Sequence, residues 1–251
     1  MKALITGASS GIGRDMARLL AKMQFDLILV ARRVDRLEEL KSELRGVNVQ
    51  IVSTDLSKKA NCFALYETLR NEKIDFLINN AGFGAYGKFC EVPLEKELEL
   101  IETNVVALHI LTKLFLKDMV KRNSGYILNV GSSAGFMCGP TFSSYYASKN
   151  YVVRLTEAIH EELRRDHSKV KVSVLCPGPV NTEFNSVADV KFAIGGLSSE
   201  YVARYAIENT LKGKMVITPG LTMKFVKFIE RFPSEKMLAK ISYNIQKRKD
   251  K

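Results

Sequence analysis

The chain is poor in features that would hold it together or anchor it by anything other than a folded core. Its four cysteines (Cys62, Cys90, Cys138 and Cys176) are scattered through 251 residues with no Cys-x-x-Cys pair. That spacing gives no case for a metal site or a disulfide framework, so reduced core or pocket thiols and no metal are expected, as in a cytoplasmic protein. No stretch approaches the ~18 uninterrupted apolar residues of a membrane span. A strand-like run begins already at Lys2, so no leader peptide is expected. Internal repeats, low-complexity tracts and linkers are also missing, which points to one main domain with a large core.

Acidic residues are scarce towards the end of the chain. Residues 220–251 carry nine Lys/Arg against three acids, a net +6 of the formal +11, leaving +5 for the 219 residues before them. The basic character is thus largely a property of the tail, and it says little about the main domain. Basic residues alone do not make a readout surface, so no nucleic-acid partner is expected.

What is present is a regular alternation of apolar strand-like runs and helical patterns. Lys2–Thr6 is followed by the glycine turn Gly7-Ala-Ser9-Ser10-Gly11-Ile12-Gly13 and a helical pattern through Met23. Strand, glycine-rich turn and helix is the layout in which backbone N–H groups meet a pyrophosphate. Further strands are expected at 25–31, 47–52, 74–78, 126–130, 170–175 and 215–217. Helices are expected at 34–44, 58–69, within 93–120, around Tyr145, and at 199–211. This alternation implies an α/β fold, a Rossmann-type doubly wound parallel sheet of about seven strands with helices on both faces. Ligands of such sheets bind beyond the carboxyl ends of the strands, where Asp55-Leu56, Asn79-Asn80-Ala81-Gly82 and Pro177-Gly178-Pro179-Val180 fall.

One more absence bears on the cofactor. NAD sites usually place an acid about 20 residues past the glycines to bind the ribose 2′-OH. Counting from Gly11 reaches Ala31, followed by Arg32 and Arg33. Two guanidinium groups suit a 2′-phosphate, which favours NADP(H).

Tyr145 and Lys149 are four residues apart and share one face of a helix. A fixed ammonium beside a phenol favours phenolate and lowers its pKa, which makes the pair a proton donor and acceptor for a carbonyl or alcohol. Tyr243 and Lys247 repeat the spacing, but Glu230 stands thirteen residues upstream, where Tyr145 has Ser132. The second copy is therefore read as coincidence.

Thr6-Gly7-x-x-x-Gly11-x-Gly13, Asn79-Asn80-Ala81-Gly82, Ser132, Tyr145-x-x-x-Lys149 and Pro177-Gly178 occur together in the order found in short-chain dehydrogenases/reductases. Over about residues 1–218 the sequence resembles the one-domain branch of that family. The resemblance implies a catalytic tetrad of Asn104, Ser132, Tyr145 and Lys149. In it the tyrosine exchanges the proton of the substrate oxygen and the serine polarises the carbonyl. The lysine lowers the tyrosine pKa and holds the nicotinamide ribose, and the asparagine positions a water. It also implies cofactor contacts from Gly7, Ser9, Ser10, Gly11, Ile12 and Gly13, with Arg32 and Arg33 at the 2′-phosphate. Asp55 and Leu56 should flank the adenine, with Asn79, Ala81 and Gly82 along the cofactor. Pro177, Gly178, Val180 and Thr182 should lie at its nicotinamide end. Family members commonly form dimers or tetramers, so a homodimer or homotetramer is expected.

The expected activity is NADP(H)-dependent interconversion of a ketone or aldehyde with an alcohol. Around the substrate the sequence offers Phe83, Ala85 and Phe89, then Phe136, Met137 and Phe142, and Phe184, Val187, Phe192 and Ile194 further on, with no arginine cluster. An apolar pocket suits a lipophilic carbonyl. The alternative from another class is a non-catalytic nucleotide-sensing or membrane-associated binding protein on the same fold. Two units are expected: a cofactor-binding domain at 1–219 and a basic amphipathic helical extension at 220–251. In the extension Leu221, Phe225, Phe228, Ile229 and Phe232 share a face, Pro233 breaks the helix and Ser234 caps a second one. Packing on the domain or across a dimer is the leading expectation for this tail. Peripheral contact with an anionic membrane is the other.

Overall fold

The structure, a computed structural model, describes residues 1–184, 196–230 and 232–247. Val187, Phe192 and Ile194 lie outside the described residues.

The apolar runs form the strands β1 (Lys2–Thr6), β2 (Asp26–Ala31), β3 (Val49–Ser53), β4 (Phe76–Asn79), β5 (Tyr126–Val130) and β6 (Lys171–Leu175). Two short ribbon strands follow, β7 (Val180–Asn181) and β8 (Leu197–Ser198), and then β9 (Val216–Ile217). Seven of these make one sheet in the order β3-β2-β1-β4-β5-β6-β9, with every pairing parallel. Parallel neighbours require crossovers, and helices supply them on both faces. They are α1 (Gly11–Lys22), α2 (Val34–Glu43), α3 (Lys59–Leu69), α4 (Leu94–Ile101), α5 (Leu108–Lys121), α6 (Ser143–Arg165) and α7 (Ser199–Leu211). One apolar layer packs α1, α2 and α7 against Ile5, Leu29, Phe76, Ile78 and Leu128. The other packs α3 and α5 against Leu4, Ile28, Leu77 and Ile127. Neighbouring strand residues point to opposite layers, and this is why both faces of β1 and β4 are buried.

The strand order reverses between β1 and β4, so the connections on the two sides diverge there and leave a crevice at the carboxyl edge. The chain lies as the sequence led one to expect, to within a residue or two at element ends. Two features were not foreseen. Glu102–Ala107 is a π-helical turn joining α4 to α5, and Ser133–Phe136 is a 3₁₀ turn after β5.

Beyond the sheet, Leu221–Ile229 forms α8 and Glu235–Lys247 forms α9. Ser234 caps α9, its hydroxyl accepting from Met237 N at 3.4 Å. Among the described residues no helix is long and apolar enough to cross a membrane.

Candidate active site

A cleft of about 590 Å³ runs along the carboxyl edge of the sheet. One end is built by the turn between β1 and α1. Gly7 and Gly11 have φ of +64° and +53°, the left-handed region where a side chain is strained. A Cβ on Gly7 would also meet Asn80 Nδ2 and Ala81 Cα at 2.9 Å, and one on Gly11 would meet Thr182 Cγ2 at 3.0 Å. The backbone is thereby left bare along the cleft wall. Ser10 makes no side-chain capping bond and the first turn of α1 holds no acid, so its N–H groups and positive dipole end stand at the cleft, with the Glu183 carboxylate against Ser10. This is a cradle that fits a pyrophosphate.

Asn80 fastens the turn. Its Nδ2 donates to Thr6 O at 3.1 Å and Gly7 O at 3.0 Å, while the Thr6 hydroxyl accepts from the N–H groups of Asn80 and Ala81, both at 3.0 Å. Asn79 was expected along the cofactor, and the structure corrects that placement. As the last residue of β4 its side chain turns into the buried helix layer, where it donates to Thr112 Oγ1 and Asn129 Oδ1. Asn80, Ala81 and Gly82 are the members of this motif that line the cleft.

At the end of β2, Ala31, Arg32 and Arg33 line the cleft together with Asp55 and Leu56. Arg32 pairs with Glu99 at 2.9 Å, and Arg33 with Glu183 at 2.9 Å and with the Ser9 hydroxyl at 3.2 Å. All four charged side chains are well exposed, so water screens both pairs. Burial alone would raise the Asp55 carboxyl. The Ser57 N–H and hydroxyl, with Arg32 and Lys58 nearby, outweigh it and hold Asp55 below the usual carboxylate range. This end thus keeps an ionised acid beside two arginines. No acid stands at position 31 itself.

Midway along the cleft Ser132, Tyr145 and Lys149 come together. The 3₁₀ turn after β5 presents Ser132, whose hydroxyl accepts from Ala134 N at 3.1 Å and hydrogen-bonds the Tyr145 phenol. The Lys149 ammonium donates to Val130 O at 2.8 Å and stands 5.7 Å from the centre of the Tyr145 ring. The charges do not follow the sequence expectation of a lowered tyrosine. Burial pushes the Tyr145 phenol well above its ordinary value, and Ser132 only partly opposes it. Burial also brings Lys149 down to about 8. At neutral pH this site therefore holds an un-ionised phenol beside an ammonium that is still mostly protonated.

Asn104 sits in the π-helical turn, fully buried and behind the cleft wall. Its Nδ2 donates to Phe83 O at 2.9 Å and to the Ser148 hydroxyl at 3.1 Å, and its Oδ1 accepts from Phe83 N at 3.0 Å. The amide thus ties the Gly82–Phe83 loop to the helix that carries Tyr145 and Lys149. Gly13 does not reach the cleft either. It lets α1 close on Asn80 and Gly7.

The other end of the cleft is apolar. Phe142 stacks on Tyr145 with ring centres 4.6 Å apart, and Phe184 lies 5.3 Å from the same ring. Phe83 and Met137 complete this wall, and Pro177, Gly178, Val180 and Thr182 lie opposite. Phe136 was expected here but faces elsewhere. It packs with Leu108, Val152, Val153 and Val174 under the Lys227 ammonium, 4.6 Å above its ring. The 3₁₀ turn reverses its direction relative to Met137.

Sequence reasoning missed the roof of this end. Met223 and Val226 of α8 and Ser242 and Ile245 of α9 line the cleft. The Gln246 amide donates to the Tyr146 hydroxyl at 2.5 Å, and its backbone carbonyl accepts from Tyr86 Oη at 3.3 Å. On α8 the side that roofs the cleft is not the apolar face the helical period had shown, because Leu221, Phe225, Phe228 and Ile229 are exposed while Met223 and Val226 line the cleft.

The short chain dehydrogenase family profile matches residues 1–191. The chain belongs to this family. It is 36% identical over 191 residues to the NADP-dependent 3-hydroxy acid dehydrogenase of Schizosaccharomyces pombe, covering 73% of each protein. Among solved structures it is similar to a short-chain dehydrogenase from Sphingobium yanoikuyae in complex with NADPH, with a TM-score of 0.83, 31% identity and 92% of each chain covered. A family structure from Burkholderia phymatum in complex with NAD matches with the same TM-score and coverage at 28% identity. Our protein is thus an oxidoreductase of the short-chain family, and similar family structures hold NADPH in one case and NAD in the other.

Proposed function

We propose that the chain is an NADP(H)-dependent reductase that interconverts a lipophilic ketone or aldehyde with its alcohol. The observation that carries the cofactor choice is the pair Arg32–Arg33 lining the cleft at the end of β2, with alanine and not an acid at position 31. A 2′-phosphate there would replace Glu99 and Glu183 as their partner, exchanging exposed ion pairs of little net worth for charge-assisted contacts.

NADPH, which the glycine turn and the two arginines would hold, would supply the hydride for the carbonyl carbon. The protein's part is positioning and proton supply. The Ser132 hydroxyl holds the carbonyl oxygen, and the un-ionised Tyr145 phenol donates the proton that this oxygen needs. Lys149, held by Val130 O, offsets the charge that develops on the phenol as its proton leaves. Asn104 acts as a positioning residue, fixing the Phe83 loop against α6. Phe83, Phe142 and Phe184 give a water-poor wall that favours an apolar substrate and strengthens each of these electrostatic contacts.

The test is a fluorescence titration with NADPH and NADH. NADPH should bind at least tenfold more tightly, and Arg32→Ala or Arg33→Ala should weaken it by roughly 1.5–3 kcal/mol while leaving NADH unchanged. Equal affinity for both cofactors would refute the cofactor choice. Tight NADPH binding with no turnover of any carbonyl in a broad panel would instead support the nucleotide-sensing alternative.

A further inference from the structure

The two C-terminal helices have an inner side used by the domain and an outer side that is exposed among the described residues. Inside, Met223, Val226, Ser242 and Ile245 roof the cleft, and Gln246 is locked between Tyr86 and Tyr146. Outside, Leu221, Phe225 and Phe228 follow one another at helical spacing and are 81%, 62% and 57% exposed. Phe232 continues the row at 72% exposure, its ring 5.3 Å from that of Phe228. No residue of α8 is buried, and on α9 Met237 and Ile241 are exposed as well. A contiguous patch of large apolar side chains on a globular protein marks an interaction surface.

The charge around the patch identifies the occupant. Lys236 and Lys240 stand exposed on α9, next to Met237 and Ile241 in the chain. Lys224 and Lys227 lie back over the Tyr205 and Phe136 rings, flanking α8. Aromatic and aliphatic side chains bordered by lysines are what a helix lying in a lipid interface requires. A second copy of the chain fits less well, because two-fold pairing through this face brings Lys236 and Lys240 of one copy towards the same lysines of the other. We propose that the outer face of α8 and α9 docks on the surface of an anionic lipid bilayer. Leu221, Phe225 and Phe232 enter the boundary between headgroups and acyl chains, and the lysines meet the headgroups. The same helices roof the cleft, so docking holds its apolar end at the lipid surface, where a lipophilic carbonyl is concentrated. This last consequence rests on the reductase reading, whereas the docking does not.

The experiment is co-sedimentation of the full chain with vesicles of phosphatidylcholine alone or mixed with phosphatidylglycerol. The triple variant Leu221→Ser/Phe225→Ser/Phe232→Ser is run alongside. Binding to the anionic vesicles at low salt, at least tenfold weaker to phosphatidylcholine or at high salt, is expected. The variant should lose at least tenfold while keeping NADPH binding and turnover of a water-soluble ketone. Docking is overturned if the native chain stays in the supernatant, binds both vesicles equally, or binds no better than the variant. A dimer that the variant breaks, without vesicle binding, would assign the face to a second copy. Failure of both proteins to reduce the ketone would count against the reductase reading alone, since the vesicle result stands apart from it.

Discussion

Lys149 is a charge kept where folding opposes it, and replacing it should make the protein more stable. Its ammonium is 5% exposed, and burial lowers its pKa from 10.5 to about 8. A shift of that size at ~1.4 kcal/mol per unit means that folding at pH 7 carries a cost of about 3 kcal/mol. Lys149→Met keeps much of the side-chain volume and removes the charge. It also removes the donor to Val130 O, a loss of about 1–2 kcal/mol. A net gain of about 1–2 kcal/mol at pH 7 follows, roughly 3–6 °C in Tm for a domain of this size. The pH dependence has a definite sign. The folded pKa lies below the unfolded one, so the cost is complete below pH 8 and fades as pH rises towards 10.5. The advantage of the variant should therefore shrink by about 2 kcal/mol between pH 7 and pH 9.5. Urea denaturation of both cofactor-free proteins across that range measures the difference directly. It also cancels the buried thiol of Cys62, whose raised pKa acts in the opposite sense. A variant less stable than the native protein at pH 7, or a gap that does not change with pH, would refute the reasoning.

Other outcomes follow from the same geometry. Tyr145→Phe should lower turnover by at least ~10³-fold through loss of the proton donor and leave NADPH affinity within a few-fold, and persistent turnover would remove Tyr145 from its role. Phe142→Ala should cost about 3–5 kcal/mol in urea unfolding, because the ring is 2% exposed and stacked on Tyr145, and a cost under 1 kcal/mol would mean that the wall collapses freely. Among the cysteines, Cys90 and Cys138 should react quickly with a thiol reagent at pH 8, while buried Cys62 and Cys176, raised to about 11 and about 12, should react only on unfolding. Four fast thiols in the native state would contradict that.

The sheet was legible because parallel strands buried on both faces read as continuous apolar runs, and the helices between them keep their own period. The cleft was legible for a related reason. Its glycine turn, its arginines and the Tyr145–Lys149 pair occupy strand ends or one helical face, and a sequence specifies such places almost directly. Direction at the end of an element is harder. Asn79 and Asn80 are adjacent and chemically identical, yet the last strand residue points into the helix layer while the next one turns back to the glycine loop. Phe136 and Met137 part company in the same way at a 3₁₀ turn that no local signal announced. The tail was legible as two amphipathic helices, but amphipathicity alone does not say which solid a face meets. That was decided by Tyr86 and Tyr146, far away in sequence, which grip Gln246 and turn Ser242 towards the cleft.

The Tyr145 phenol shows why composition and spacing stop short of the chemistry. Four residues on a helix place an ammonium near a phenol, and the attraction alone argues for phenolate. The structure adds that both groups are buried, and desolvation disfavours each charged form. At the tyrosine burial wins, and only the Ser132 hydrogen bond opposes it. What remains is an un-ionised acid whose proton leaves only when charge is forming on a partner oxygen. For a reductase that is the useful state, because the proton is held until the carbonyl oxygen becomes basic. The same burial depresses Lys149, so the pair stays poised only while the ammonium keeps its proton. Reduction should therefore fall off above about pH 8, and a rate that stayed flat to pH 9.5 would show that bound cofactor holds the Lys149 proton in place of solvent.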